Sequence, residues 1–316
     1  MRVLVTGGAG FIGSHVVDAL LACGHRVAVI DDLSTGSERN LASALASGLD
    51  PDAVHRMDVT CPRARQVVLH FQPDALVLLA AQMSVKVSMR DPLLDATANV
   101  LGMVNMLEAA RAARTRKVVF ASSGGTIYGQ VAESAIPIAE DAAKEPTSFY
   151  GLTKYMGTRY LRLYQDEYGL DSVALALGNV YGPRQSPDGE AGVVAIFSRL
   201  LLCGQDCIVN GDGMITRDYV YVSDVVDGFI RALDRGSGLI NLGSGVETSV
   251  LEVYRTVASH VGTDQEAMYG PELPGETRRV CLDVTKARRD LGWAPRMSFP
   301  DGVKLVVDWL RGGAMR

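Results

Sequence analysis

The chain is 316 residues long and 47% hydrophobic, with 31 Lys and Arg against 36 Asp and Glu, a formal net charge of −5. That length holds a large domain and a smaller second lobe around a sizeable core, and an acidic balance with no basic stripe excludes a general nucleic-acid partner in favour of small molecules. Five cysteines, Cys23, Cys61, Cys203, Cys207 and Cys281, odd in number and scattered, exclude a disulfide framework and suit a reducing compartment.

The run Arg2-Val3-Leu4-Val5 predicts a first strand and Ser14 to Cys23 a helix. Between them stands Thr6-Gly7-Gly8-Ala9-Gly10-Phe11-Ile12-Gly13. Gly7 allows a tight turn, Gly10 leaves room for a backbone to approach a pyrophosphate, and Gly13 lets the helix sit close on the sheet with its N-terminus towards the phosphates. A dinucleotide is expected here. The second strand, Arg26 to Ile30, ends in Asp31-Asp32, about 20 residues after the glycines, where a carboxylate accepts hydrogen bonds from both adenine-ribose hydroxyls. A 2′-phosphate would meet that negative charge, and no Arg follows the strand immediately to receive it, so the expected cofactor is NAD rather than NADP. A strand starting at residue 2 leaves no signal peptide to expect, and no apolar run approaches the ~20 residues of a membrane span. A cytoplasmic protein with no membrane partner is expected.

Further along, Ala75 to Ala80 predicts a strand, Leu93 to Arg114 a helix, Lys117 to Ala121 a strand, Tyr150 to Tyr168 a helix and Ser172 to Leu177 a strand. This alternation predicts the α/β class: a Rossmann-like, doubly wound parallel sheet with helices on both faces and ligands at the carboxyl ends of the strands. After residue 178 the pattern loosens. Gly182-Pro183-Arg184 opens a loop, Ala191 to Leu202 predicts a helix, Asp218 to Val222 a strand and Asp224 to Leu233 a helix. Ile240 to Leu242 predicts a late sheet strand, and Ser249 to Val261 and Phe299 to Leu310 two more helices. The expected division is a nucleotide-binding domain over residues 1–177, with returns near 215–245, and a smaller, discontinuous C-terminal substrate domain made mainly of 178–214 and 246–316.

Tyr150-Gly151-Leu152-Thr153-Lys154 puts a phenol and an ammonium at i and i+4 on one helix face. A nearby cation favours the phenolate and draws the tyrosine pKa from ~10 towards neutrality, as a general base for an alcohol requires. The segment Ser122-Ser123-Gly124-Gly125-Thr126-Ile127-Tyr128-Gly129 follows the preceding strand, where the ligand crevice of such a fold opens. Cys203 and Cys207 have no His or Cys cluster near them, so no metal is expected.

With these motifs in this order, the chain resembles the extended short-chain dehydrogenase/reductase superfamily, and within it the nucleotide-sugar 4-epimerases typified by UDP-glucose 4-epimerase. The likeness spans essentially the whole chain. It implies a cofactor set of Gly7, Gly10, Phe11, Ile12, Gly13, Asp31, Asp32, Ser34, Thr35, Gly36, Asp58, Val59, Leu79, Ala80, Ala81, Gln82, Asn99, Ser122, Tyr150 and Lys154. It implies substrate contacts from Ser123, Thr126, Tyr150, Asn179, Arg184, Val194, Arg217, Arg278 and Val280, with Gly189-Glu190-Ala191 and Pro274-Gly275-Glu276 in sugar-nucleotide segments. The implied reaction is redox-neutral. Tyr150 takes the proton of the sugar 4-hydroxyl, hydride leaves C4 and returns on its other face, and Lys154 bonds the nicotinamide ribose.

The chain departs from that pattern at several points. Gly124 stands where the family usually has Ser or Thr, so the hydroxyl role moves to Thr126, with Ser123 second. The dehydratases and decarboxylases that share this fold carry an acid in this turn, and here there is none. Ala176, Leu177 and Asn210 replace a customary Arg and two aromatics. Of two diphosphate arginines Arg217 is retained, while Leu273 takes the other place and Arg278 is its candidate substitute. Val280 occupies a position whose bulk decides admission of an N-acetyl group at sugar C2, or is a plain strand valine. Arg184 meets a C6 carboxylate, as UDP-glucuronate would need, or braces its loop or the diphosphate. Apolar faces on the helices predicted at Leu93 to Arg114 and Tyr150 to Tyr168 match the family's dimer helices, so a homodimer is expected. Three readings stand: a UDP-hexose 4-epimerase, a nucleotide-sugar reductase or dehydratase of the same superfamily, and a dinucleotide sensor without catalysis.

Overall fold

The structure, a computed structural model, describes residues 1–188, 192–272 and 277–314. Seven strands form one sheet: β1 (Arg2–Thr6), β2 (Arg26–Asp31), β3 (Val54–Arg56), β4 (Ala75–Leu78), β5 (Lys117–Ser123), β6 (Asp171–Leu177) and, after β7 (Asn179–Tyr181), β8 (Ile208–Asn210) and β9 (Thr216–Tyr221), the late strand β10 (Gly238–Leu242). Their order is β10-β6-β5-β4-β1-β2-β3, and every pairing is parallel. The chain runs outward from β1 to β3, then returns to β4 on the other side of β1, so the topological switch lies between β1 and β4. A crevice opens at their carboxyl ends.

Both faces of the sheet are buried, and the strands read accordingly. In β1, Val3 and Val5 join one core cluster and Leu4 the opposite one; Val119 and Ala121 in β5 likewise alternate with Val118 and Phe120. The first face is covered by α1 (Phe11–Ala22), the second by α3 (Pro62–Phe71) with residues further along the chain. Between α1 and α3 lies the short α2 (Ala42–Ala46), and after α3 come α4 (Val85–Arg90), α5 (Pro92–Ala96), α6 (Gly102–Ala112) and α7 (Phe149–Tyr168).

Two differences from the sequence reading bear on the site. The single helix predicted from Leu93 to Arg114 is α5 and α6 joined by a wide π-helical turn, Thr97–Leu101, which carries Asn99. An extra residue in a turn breaks 3.6-residue periodicity over only a few positions and leaves the apolar pattern intact. Strand β3 and helix α3 were not predicted, because α3 buries only Ala64 and Val68 and so shows little periodicity.

The later chain supplies α8 (Val193–Leu202), α9 (Val222–Ala232), α10 (Val250–Val261), α11 (Thr285–Leu291) and α12 (Phe299–Trp309). Helices α8, α10 and α12 pack on one another. β9 pairs parallel with β7 and antiparallel with β11 (Glu247–Ser249), and β12 (Met268–Gly270) pairs with β8. Among the described residues no helix is long and apolar enough to cross a membrane.

Candidate active site

The turn after β1 is shaped by close approach. Gly7 has φ +71°, and a Cβ there would lie 2.7 Å from the Ala80 amide nitrogen; a Cβ on Gly13 would run into the Gly7 carbonyl. Helix α1 therefore rests on the turn at a distance only glycine permits. Its cap residue is Gly10, no side chain caps it, and Phe11, Ile12 and the rest of the first turn bring no acid. Its leading N–H groups are left for anionic oxygens.

Asp31 closes β2 and is buried; its carboxylate accepts hydrogen bonds from the amides of Ala9 (2.9 Å) and Leu33 (2.8 Å). Burial pushes its pKa up, and the amide bonds oppose that rise. One carboxylate thus braces the glycine turn, with lone pairs remaining for ribose hydroxyls. Asp32 is engaged by Ser34, which donates from its amide at 2.9 Å and its hydroxyl at 2.6 Å. Thr35 is exposed, and a Cβ on Gly36 would fall 3.0 Å from the Ala9 carbonyl oxygen. Asn40, which sequence reasoning passed over, donates to the Ala9 carbonyl at 2.8 Å and clamps the same turn. Asp58 is exposed and accepts from the Thr60 amide.

On the β4 side, the Thr6 hydroxyl accepts from the amides of Leu79 (3.2 Å) and Ala80 (3.3 Å). Thr6, Val59, Ala80, Ala81, Asn99 and Lys154 line one small cleft. Asn99 holds Gln82 from both sides, accepting from its amide at 2.8 Å and donating to its carbonyl at 2.9 Å.

Ser122 and Ser123 end β5, and the Ser122 hydroxyl donates to the Lys154 carbonyl at 3.3 Å. Helix α7 starts beneath them, its cap Ser148 accepting from the Gly151 amide at 3.1 Å. That start puts Tyr150, partly open to the crevice, one turn ahead of buried Lys154. Lys154 donates to the Ala121 carbonyl at 3.0 Å, and its Nζ stands 5.8 Å from the Tyr150 ring centre. The Ser123 side chain acts on the phenol, favouring its ionised form. Thr126 Oγ1 is buried and has no hydrogen-bond partner. Of the two hydroxyls weighed from the sequence, Ser123 bears on the Tyr150 pKa, while Thr126 Oγ1 has no partner.

The electrostatics correct one expectation. Burial pushes Tyr150 up to about 12, hydrogen bonding to Ser123 opposes the rise, and the Asp95 carboxylate adds to it. Burial also draws Lys154 down to about 8. Desolvation is the largest influence on this phenol and holds it above neutrality.

On the other side of the crevice, Asn179 in β7 points at the turn, with its Oδ1 3.5 Å from where a Cβ of Gly125 would stand. Arg217 donates to the carbonyls of Thr216 and Thr277, both at 2.8 Å, while exposed Arg278 reaches Asp212 at 3.4 Å, so the two arginines gather at the start of β9. Val194 and Val280 are buried, Val280 in a cluster with Ile127, Tyr128, Ile138, Ala176 and Leu282. Arg184 is held by Asp18 of α1 at 2.7 Å, the loop-bracing alternative. Residues 189–191 and 273–276, with the expected substrate segments there, lie outside the described residues. Among the described residues no three His, Cys, Asp or Glu side chains gather as metal ligands.

A family model described as the NAD dependent epimerase/dehydratase family matches residues 3–243. The chain belongs to this family. It is 47% identical to UDP-glucose 4-epimerase of Mycolicibacterium smegmatis over 98% of this chain and 99% of that one. A crystal structure of UDP-glucose 4-epimerase with UDP-glucose from Thermotoga maritima superposes with TM-score 0.94 at 40% identity, covering 99% of both chains. The Thermus thermophilus UDP-glucose 4-epimerase complex with NAD gives TM-score 0.91 at 42% identity, over 99% of this chain and 100% of that one.

The residues present fit the NAD of an epimerase/dehydratase. The glycine cradle would be filled by any Cβ at Gly7 or Gly13, the helix above it is uncapped, and an acid ends β2 with its carboxylate beside the turn. Asp95 and Thr153, which tie Gln82 and Asn99 to α7, were not singled out from the sequence. Asp95 belongs to no local motif, Thr153 is an unassigned position between Tyr150 and Lys154, and their partners come from separate elements.

Proposed function

We propose that this protein interconverts a UDP-hexose and its C4 epimer, UDP-glucose and UDP-galactose, with NAD as cofactor. The observation that carries the reading is the cluster of Ser123, Tyr150 and Lys154 at the carboxyl end of β5, beside a glycine turn shaped for a dinucleotide. When bound, NAD supplies the hydride acceptor and donor at the sugar carbon and a positive charge near the phenol. Tyr150 removes the 4-hydroxyl proton as that carbon is oxidised, which leaves a 4-keto sugar. Ser123 holds the ketone oxygen and relays the proton. Once the sugar has turned over, Tyr150 returns the proton to the oxygen of the opposite epimer. Lys154, a buried cation one turn away, stabilises the phenolate between these steps.

Substrate segments 178–214 and 246–316 take the sugar nucleotide, with Asn179, Val194, Arg217, Arg278 and Val280 as contacts. The turn from Ser122 to Gly129 holds no acid to protonate a leaving hydroxyl, which supports epimerisation over dehydration. Arg184 Nη2 is paired with Asp18 while its Nη1 is buried without a partner, so the loop-bracing role has the direct support. A homodimer fits the exposed Met89, Leu93, Leu101 and Leu152, at 54%, 77%, 60% and 41%, on helices that pack together. Five unpaired cysteines suit a cytoplasmic enzyme.

The test is incubation of the purified protein, without added reductant, with UDP-glucose, UDP-N-acetylglucosamine and UDP-glucuronate separately, following anomeric and H4 protons by NMR. UDP-galactose from the first tube is expected. A dehydrated 4-keto product, or three unchanged spectra with NAD bound, overturns the reading.

A further inference from the structure

Asp95 on α5 has 0% exposure, and among the described residues no cation forms an ion pair with it. A lone buried carboxylate is costly unless its hydrogen bonds are satisfied. Three donors satisfy this one: Gln82 Nε2 at 2.7 Å, Asn99 Nδ2 at 3.0 Å and the Thr153 hydroxyl at 2.9 Å. Each donor comes from a different piece of the site. Gln82 follows β4, Asn99 occupies the π-helical turn, and Thr153 stands between Tyr150 and Lys154 on α7. Asn99 also donates to Thr153 Oγ1 at 3.2 Å, which closes the network.

We propose that Asp95 is a positioning residue for the acid–base pair: its three hydrogen bonds lock Gln82, Asn99 and α7 into one unit, and its charge is the buried counter-charge that keeps Lys154 an ammonium. The proposal rests on Tyr150 and Lys154 being that pair. Burial draws Lys154 down, and Asp95 opposes that fall; on Tyr150 the same charge adds to the rise that burial causes. Of the other charged groups around α5, Lys86 and Arg90 on α4 and the capping Asp91 are exposed. Loss of the negative charge therefore lowers both pKa values, so both limbs of the activity profile move to lower pH.

Asp95→Asn isolates the charge. The amide keeps an oxygen for Gln82 and Asn99 and offers an N–H to Thr153, whose hydroxyl already reaches the Tyr150 carbonyl at 3.0 Å. The full-length, NAD-loaded variant is expected to retain its NAD, to lose roughly tenfold or more in kcat at pH 8, and to show a kcat profile displaced to lower pH by on the order of one unit. Thr153→Ala removes the hydroxyl that bonds Asp95, Asn99 and the Tyr150 carbonyl and leaves the charge, so its profile is expected to stay in place. An Asp95→Asn profile that coincides with the parent's overturns the inference, and so does a Thr153→Ala profile displaced as far. Tyr150→Phe serves as the separate check. Turnover surviving in it overturns the assignment of the pair, whereas an inactive Tyr150→Phe beside an unshifted Asp95→Asn overturns only the role of Asp95.

Discussion

Gly124 lies directly against Leu282: a Cβ on Gly124 would fall 2.5 Å from Leu282 Cδ1 and 3.2 Å from the Ala176 carbonyl oxygen. Leu282 is fully buried in the cluster beneath the turn, so the space that a Ser or Thr side chain would need at Gly124 is already filled. Gly124→Ala is expected to destabilise by about 1–3 kcal/mol through overpacking. Leu282→Val removes the crowding methyls, so the double variant should lie above the sum of the singles. Urea unfolding of the four proteins checks this, and strict additivity would show that the two side chains do not compete.

The same turn carries both hydroxyls proposed to serve Tyr150. Ser123→Ala is expected to cost 10²-fold or more in kcat, of the order that positioned proton-transfer groups supply. Thr126→Val should leave kcat within about threefold and hold or raise stability, because a buried hydroxyl without a partner is replaced by a methyl. Steady-state kinetics on both variants discriminates, since a severe Thr126→Val would return the role to Thr126.

These two hydroxyls show where the sequence could be read and where it could not. Gly7, Gly10 and Gly13, Asp31, and the Tyr150 and Lys154 pair are legible because each depends on short spacing: within one turn, within one helix, or from the glycine turn to the end of the next strand. The preference between Ser123 and Thr126 is not, since both stand in one turn and only the folded chain shows Thr126 Oγ1 buried without a partner. Asp95 is invisible for the same reason: a lone acid in a helix gains meaning only when Gln82, Asn99 and Thr153 are folded around it. The sheet was legible from its apolar strands, whereas the π-helical turn at Asn99 leaves no mark on the apolar pattern.

Arg184 separates two expectations that its loop left open. Its ion pair with Asp18 is largely sheltered, with side-chain exposures of 19% and 25%, and His15 Nε2 bonds the neighbouring Pro183 carbonyl at 2.9 Å. Arg184→Gln is expected to lower stability by about 1–3 kcal/mol, as the loss of a charge-assisted hydrogen bond does. It should weaken UDP-glucose and UDP-glucuronate binding alike. Calorimetric titration with both nucleotides checks this, and a loss confined to the uronate would restore Arg184 to the sugar.

Alkaline pH should unfold the protein through its buried phenols. Burial raises the pKa of Tyr128 and Tyr181, and each hydroxyl donates a hydrogen bond, Tyr128 to Asn241 Oδ1 at 2.7 Å and Tyr181 to the Phe299 carbonyl at 3.3 Å. Tyr150, pushed up to about 12, acts in the same direction. Between the unfolded value of ~10 and these higher folded values, the native state keeps protons that the unfolded chain has released. The stability these groups contribute is therefore intact below pH ~10 and falls above it, by roughly 1.4 kcal/mol per pH unit for each group. Urea midpoints measured from pH 8 to 11 should decline once pH 10 is passed. Tyr128→Phe should start lower at pH 8, having left Asn241 Oδ1 without its donor, and then decline less steeply, because one fewer proton distinguishes the two states.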